Sequence, residues 1–259
     1  MPQVSVNGIQ LDYQEYGEGE AIIFCHGAGG NLLSWWQQIP YFSKSYRCVT
    51  FSHRGFGHSH DRPGGPGMKS FVDDLVGLLD HLGIESVNLV AQSMGGRTAL
   101  GFAVEHTART RSLVLADTTG GMGEPDVEQA LAEWRAKQTS TRELGFRALS
   151  AGFGVREPEL ANLYLQISRT NPPRPNLAGV MSGGPTGAEL SNLRVPTLFI
   201  VGEEDDLTPP HVIEAASRHI PGSEVMRVPG CGHSVYFENP SVFNFEVSRF
   251  IAQAGAPGA

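Results

Sequence analysis

Val87-Asn88-Leu89-Val90-Ala91-Gln92-Ser93-Met94-Gly95-Gly96, continuing into Arg97-Thr98-Ala99-Leu100-Gly101-Phe102-Ala103, is the stretch that decides the fold. An apolar, β-rich run meets a small residue, a serine and two glycines, and then a helix-forming segment, so the chain reads as strand, sharp turn and helix with Ser93 at the corner. Small residues at Ala91 and Gly95 fit such a corner, because its serine sits in strained backbone geometry and a bulkier neighbour would collide across the bend. The turn lifts the hydroxyl clear of the sheet. It also brings the first amides of the helix, that of Met94 among them, to the space where negative charge would develop.

Working outward, the segments before the corner alternate in type. Gln3–Val6 and Ile9–Tyr16 read as strands joined by the two-residue turn Asn7-Gly8, a strong hairpin signal. Ala21-Ile22-Ile23-Phe24-Cys25 is a continuous apolar run suited to a strand covered on both faces, and it enters the loop His26-Gly27-Ala28-Gly29-Gly30-Asn31. Glycines there let backbone amides approach a ligand closely. No Gly-Lys-Ser/Thr follows, which disfavours a phosphate loop, and His26 is expected to brace the loop. Trp35 and Trp36 fall on an expected helix, where they are expected to pack or to wall the pocket entrance. Tyr46–Ser52 is a further strand. From Ser70 to Leu82, Phe71, Leu75, Leu78, Leu79 and Leu82 recur at helical spacing, and Gly83 stops the helix.

Beyond the corner, Ser112–Asp117 is another strand, and strand–helix alternation of this kind predicts a mainly parallel sheet. The alternation lapses between about Thr118 and Leu193, where helices are expected over Asp126–Thr139, Arg142–Phe153 and Pro158–Ser168, with Pro- and Gly-rich segments at 171–175 and 183–185. Helices without strands cannot extend a sheet, so they are expected to cover the serine, with Trp134, Phe146, Phe153, Leu163 and Tyr164 supplying the pocket-lining candidates. The sheet pattern resumes at Val195–Gly202 and Ser223–Val228, and helices over Pro210–His219 and Pro240–Ala252 close the chain, ahead of an Ala/Gly/Pro tail expected to fray.

Composition narrows the function classes. The chain has 259 residues, 40% hydrophobic and 18% charged, with a net charge of −8 and no basic stripe, which argues against a nucleic-acid surface. Cys25, Cys48 and Cys231 are an odd, scattered set and not a disulfide framework. The first residues show no basic stretch leading into an apolar core, and no apolar run reaches membrane-spanning length. A cytoplasmic protein without a membrane partner is the expectation. His58-Ser59-His60-Asp61 superficially suggests a metal site, but no further ligand set at suitable spacing follows, so no metal is expected.

The corner Ala91-x-Ser93-x-Gly95, the loop His26-Gly27-Ala28-Gly29-Gly30 and the segment Arg54-Gly55-Phe56-Gly57-His58-Ser59 together resemble the α/β-hydrolase family, with Ala91 in place of the usual first glycine and Ser52 where an aspartate is common. The chain order Ser93, Asp205, His233 is similar to that family's serine, acid, histidine. The resemblance implies an eight-stranded, mostly parallel sheet flanked by helices, with a core from 1–119 and 194–259 and a helical lid from 120–193 after the sixth strand. It implies a catalytic triad in which Gly202-x-x-Asp205-x-x-x-Pro209 picks Asp205 as the acid, Asp206 and Asp117 remaining alternatives. His233 follows the loop Pro229-Gly230-Cys231-Gly232, and the amides of Ala28 and Met94 would form the oxyanion hole. Gly27, Trp35, Trp134 and Tyr164 are the substrate-contact candidates.

A serine nucleophile disfavours the branches that use aspartate at the corner. Length and the compact lid most resemble enol-lactone hydrolases and small carboxylesterases, which implies hydrolysis of a small ester or lactone with no cofactor. Carbon–carbon bond hydrolysis, lyase chemistry similar to that of the menaquinone-pathway member, and ligand binding with little turnover are the alternatives. The sequence leaves the oligomeric state open.

Overall fold

The computed structural model describes residues 2–139, 142, 144–173 and 183–255. The eight strands are β1 (Gln3–Val6), β2 (Ile9–Tyr16), β3 (Ala21–Cys25), β4 (Arg47–Phe51), β5 (Val87–Gln92), β6 (Thr110–Ala116), β7 (Thr197–Gly202) and β8 (Glu224–Val228), and they form one sheet in the order β1-β2-β4-β3-β5-β6-β7-β8. The first hairpin turns on Asn7 and Gly8, both at positive φ (44° and 80°), the geometry that matches the twist of the strands it joins. β1, β2 and β4 pair antiparallel, and every pair from β4 through β8 is parallel. The expected eight-stranded, mostly parallel sheet is the one the chain forms.

Period-two alternation distributes the strand side chains between two cores. Ile23, Leu89, Leu113 and Phe199 face the helices Phe71–His81, Gly95–Glu105 and Pro210–Ser217, while Ile22, Val90, Val114 and Leu198 face Trp35, Phe42 and the helix Pro240–Ala254. Burial on both faces explains why the central strands are continuously apolar and not alternating. Strand and helix ends differ from expectation by a residue or two. Pro196, for example, is left out of β7, although its carbonyl still accepts from Leu113 N–H.

Between β6 and β7 the described residues hold helices at Pro125–Lys137, Leu144–Arg147, Phe153–Arg156, Pro158–Arg169 and Gly187–Ser191, and no strand. The single helix expected over Arg142–Phe153 is replaced by two short ones, because the run Ser150-Ala151-Gly152 between them favours a break. One set of bonds closes the segment on itself and another fastens it to loops at the sheet edge. Gly184 N–H donates to Gly121 O (2.9 Å) and Gly123 N–H to Pro185 O (3.2 Å), so its start and end lie together. At the far end of Pro158–Arg169, Asn171 accepts from Gly57 N–H (2.9 Å) and from the Asn31 amide (3.1 Å), binding the helix to the loops after β3 and β4. The Pro-rich segment at 171–175 and the tail beyond Ala252 lie partly outside the described residues. No helix of the described residues is long and apolar enough to cross a membrane.

Candidate active site

Ser93 follows β5 at φ 50°, a left-handed conformation that a non-glycine residue adopts only when its surroundings enforce it. Those surroundings are close-packed backbone. A Cβ on Gly95 would lie 2.1 Å from Cys25 O, so the helix after Ser93 can press against the end of β3 only with glycine there. The Ser93 N–H is held by Ala116 O at 3.0 Å.

The structure brings Ser93, His233 and Asp205 together in one hydrogen-bonded line. His233 Nε2 is 2.8 Å from Ser93 Oγ, and His233 Nδ1 lies 2.8 Å and 3.0 Å from the two Asp205 oxygens. Asp205 is fixed in turn, because its Oδ1 accepts from the Leu207 and Thr208 amides at 2.8 Å each. Burial alone would lower the pKa of the His233 imidazole, but the adjacent Asp205 carboxylate outweighs it and holds the ring above its ordinary value. The loop carrying His233 is propped on both sides: Gln92 Nε2 donates to His233 O (2.7 Å), and Glu238 accepts from Gly232 N–H (2.9 Å) and Ser150 N–H (3.0 Å).

Both alternative acids are occupied elsewhere. Asp117 is fully buried at φ 52°, and its two oxygens accept from Gly202 N–H (3.1 Å) and Val235 N–H (3.2 Å), tying together the loops that carry Asp205 and His233. Burial, reinforced by nearby Asp205, pushes its carboxyl well above the usual carboxylate range. Asp206 pairs with Arg147 Nε at 2.9 Å.

A cavity of about 380 Å³ opens above Ser93 and His233 and is lined by Ala28, Met94 and Tyr164 among others. This volume is at the small end of the usual range for ligand pockets, about 300–1,000 Å³. Among the described residues the amides of Ala28 and Met94 donate to no protein acceptor, which leaves both for a ligand. His26 braces the first of these loops. Its Nε2 accepts from His53 N–H (2.9 Å) and its Nδ1 donates to Gly27 O (2.8 Å), and burial lowers its pKa to about 4, so the ring is neutral. Ser52, standing where an aspartate was expected, accepts from Leu32 N–H (3.3 Å). The bracing charge comes instead from buried Arg54, paired with Asp74 (2.7 Å) and Asp61 (3.0 Å).

Three substrate-contact expectations are corrected. Trp35 is fully buried, its ring 5.1 Å from Phe24 and 4.7 Å from Tyr236, and it is not among the residues lining the cavity above Ser93. Trp134 stands behind the cavity, where its indole donates to Asp206 O (3.2 Å) and its ring meets His211. Gly27 contributes close packing: a Cβ there would lie 2.0 Å from the Gln92 side chain. Tyr164 does line the cavity, its hydroxyl 2.9 Å from Ser234 Oγ. Phe153 is buried, and Phe146 and Leu163 do not line the cavity. Sequence reasoning missed Gln92, Arg135, Gln138 and Arg147, which do. Only Gln92, inside the corner motif, carried a positional signal.

Comparison with known proteins agrees with this architecture. The family profile described as the alpha/beta hydrolase fold matches residues 20–240. A 3-oxoadipate enol-lactonase from Acinetobacter baylyi is 27% identical, the match covering 94% of each chain, and a 2-hydroxymuconate semialdehyde hydrolase from a Pseudomonas species is 29% identical over 98% of this chain and 94% of its own. Among solved structures, an esterase from Thermogutta terrifontis superposes with a TM-score of 0.85 at 26% identity, covering 99% of this chain and all of its own.

Proposed function

The chain belongs to the alpha/beta hydrolase family, and from that premise we propose that it is a serine hydrolase cleaving a small carboxylic ester or lactone through an acyl-enzyme on Ser93. The observation that carries the proposal is the unbroken line from Asp205 through His233 to Ser93 at the floor of a small cavity.

A serine hydroxyl is a weak nucleophile at neutral pH, so His233 Nε2 takes its proton as Oγ attacks the carbonyl, a contribution of about 10²–10⁴-fold. Asp205 keeps the proton of the imidazole on Nδ1 and stabilises the cation that forms. The carbonyl oxygen becomes an oxyanion received by the amides of Ala28 and Met94, each such donor worth about 3 kcal/mol in comparable sites. His233 then protonates the departing alkoxide. Water, deprotonated by the same nitrogen, attacks the acyl-enzyme, and the acid leaves with Ser93 restored.

The enol-lactonase and esterase similarities support this choice of substrate. The semialdehyde hydrolase similarity supports a second one, hydrolysis of a carbon–carbon bond next to a ketone, for which the same line of residues would serve. A fluorophosphonate probe is expected to label the protein, and Ser93→Ala is expected to abolish both labelling and turnover. Parallel assays on short acyl esters, simple lactones and a vinylogous diketone separate the two substrates. A protein that neither labels nor turns over any of them is a binding protein, and the proposal fails.

A further inference from the structure

One side chain of the inserted segment reaches the loop that carries the Ala28 amide. Asn171, just past helix Pro158–Arg169, donates from Nδ2 to Gly30 O (3.1 Å) and, at longer range, to Gly29 O (3.4 Å). Its Oδ1 accepts from Gly57 N–H (2.9 Å) and from the Asn31 amide (3.1 Å). These partners fix which end of the Asn171 amide is which, since exchanging its oxygen and nitrogen would set acceptor against acceptor and donor against donor. Asn31 is fastened to the same turn, its Nδ2 also donating to Thr170 Oγ1 (2.8 Å). The loop needs such support, because Gly27, Gly29 and Gly30 bring little stiffness of their own. Packing is tight at Gly27, where a Cβ would lie 2.0 Å from the Gln92 side chain, but at Gly29 it would meet nothing closer than Ser168 at 3.8 Å. At Gly29, therefore, hydrogen bonds and not contacts decide which way the backbone turns.

A planar trans peptide sets each carbonyl opposite the N–H that follows it. Gly29 O, held by Asn171, thus sets the direction of Gly30 N–H, which donates to Gly27 O (2.9 Å). Gly27 O, held also by His26 Nδ1 (2.8 Å), in turn sets the direction of the Ala28 N–H. From this we infer that Asn171 is a positioning residue for the oxyanion hole, acting through two hydrogen-bonded peptide planes on an amide it does not itself touch. Asn171 is not among the residues lining the cavity, so the inserted segment would act here on the chemistry without meeting the substrate. The inference rests on the acyl-enzyme reading above and adds a residue to it. A donor aimed before the reaction begins needs no reorganisation when charge develops, which is the source of its catalytic value.

Removing one oxyanion donor outright costs about 10²–10³ in kcat. Asn171→Ala leaves the Ala28 N–H present but loosely aimed, so kcat for phenyl butanoate is expected to fall by about tenfold with KM little changed. Asn171→Asp keeps the acceptor for Gly57 but sets a carboxylate oxygen against two carbonyls, and should fall further. Asn171→Gln keeps the amide and should recover part of the loss. Benzyl trifluoromethyl ketone separates this effect from a merely looser fold. Ser93 Oγ adds to its carbonyl carbon and leaves a charged oxygen in the hole, so its affinity should fall in step with kcat, while the dissociation constant of the ester on Ser93→Ala protein should not move. Asn171→Ser, gentler on the fold, is read in the same way should the alanine variant fail to fold. A variant that keeps the ketone affinity, or that loses ester binding as much as ketone affinity, overturns the inference. Fluorophosphonate labelling judges the nucleophile separately: labelled wild-type protein with unchanged ketone affinity in the variants sinks only the role of Asn171, and unlabelled wild-type protein sinks the hydrolase reading and this inference with it.

Discussion

The loops at the carboxyl edge of the sheet and the helices inserted between β6 and β7 line the same cavity, and they are held by different physics. The edge loops are fixed by close backbone approach and buried polar bonds: Gly95 against Cys25, Asp117 spanning Gly202 and Val235, Glu238 under Gly232. Each of these places an atom to within a few tenths of an ångström, because the alternatives are a clash or an unpaired buried group. The inserted helices are held by fewer and more exposed contacts. Only Val127 and Leu131 of Pro125–Lys137 are buried, and the bonds from Trp134 and Arg147 to Asp206 are partly exposed. On the proposed mechanism, chemistry would reside on the firmly held side and selection among substrates on the more loosely held one.

If that division holds, the largest effects come from the edge loops. Asp205→Asn should lower kcat by about 10⁴-fold, because the amide can neither stabilise the imidazolium nor select the useful tautomer. The pH profile gives a second readout. Neutral His233 is the working form, and its raised pKa places the acid limb of kcat/KM above the ordinary imidazole value of about 6.5. Without the carboxylate, burial dominates and the limb should move below that value. A wild-type limb below it would show that Asp205 does not govern the ring.

A smaller effect, on stability and not on chemistry, belongs to the same side. Asp74→Ala removes the main partner of Arg54, whose side chain is 0% exposed, and leaves a buried cation with only Asp61 as a charged partner and Asn7 O as a further acceptor. A loss of about 3 kcal/mol in denaturant unfolding is expected. A loss under about 1 kcal/mol would mean that the loop after β4 relaxes to hydrate the guanidinium, and that the edge loops are less rigid than their packing implies.

The same division explains what could be read from the chain alone. Close backbone approach demands small residues at fixed offsets from a serine, so Ala91, Ser93 and Gly95 left a trace that survives without any knowledge of the fold. Asp205 and His233 were legible through the family-like settings Gly202-x-x-Asp205-x-x-x-Pro209 and Gly230-x-Gly232-His233, each in a loop after a strand, at the edge where such sheets gather their chemistry. Arg135 left no such trace. It is exposed as well as bordering the cavity, and nothing in a helical pattern marks which exposed charges do so. Trp35 and Trp134 misled for a related reason. An aromatic ring is valuable to a core and to a pocket alike, and the direction it faces is set by packing against distant segments, here Phe24 and Tyr236 for one and His211 for the other.

The smallest effect tests the adaptable side directly. Tyr164 lines the cavity and its hydroxyl meets Ser234 Oγ, next in the chain to His233, so here the inserted helices reach the loop that carries His233. Tyr164→Phe deletes that bond while keeping the ring against Phe237. One neutral hydrogen bond contributes about 0.5–1.5 kcal/mol, so kcat/KM should change by roughly tenfold or less. The change should differ between short and long acyl esters, because the loosened helix reshapes the wall and not the nucleophile. A uniform fall of a thousandfold would place a catalytic group on the inserted segment, and the separation of chemistry from selection would have to be abandoned.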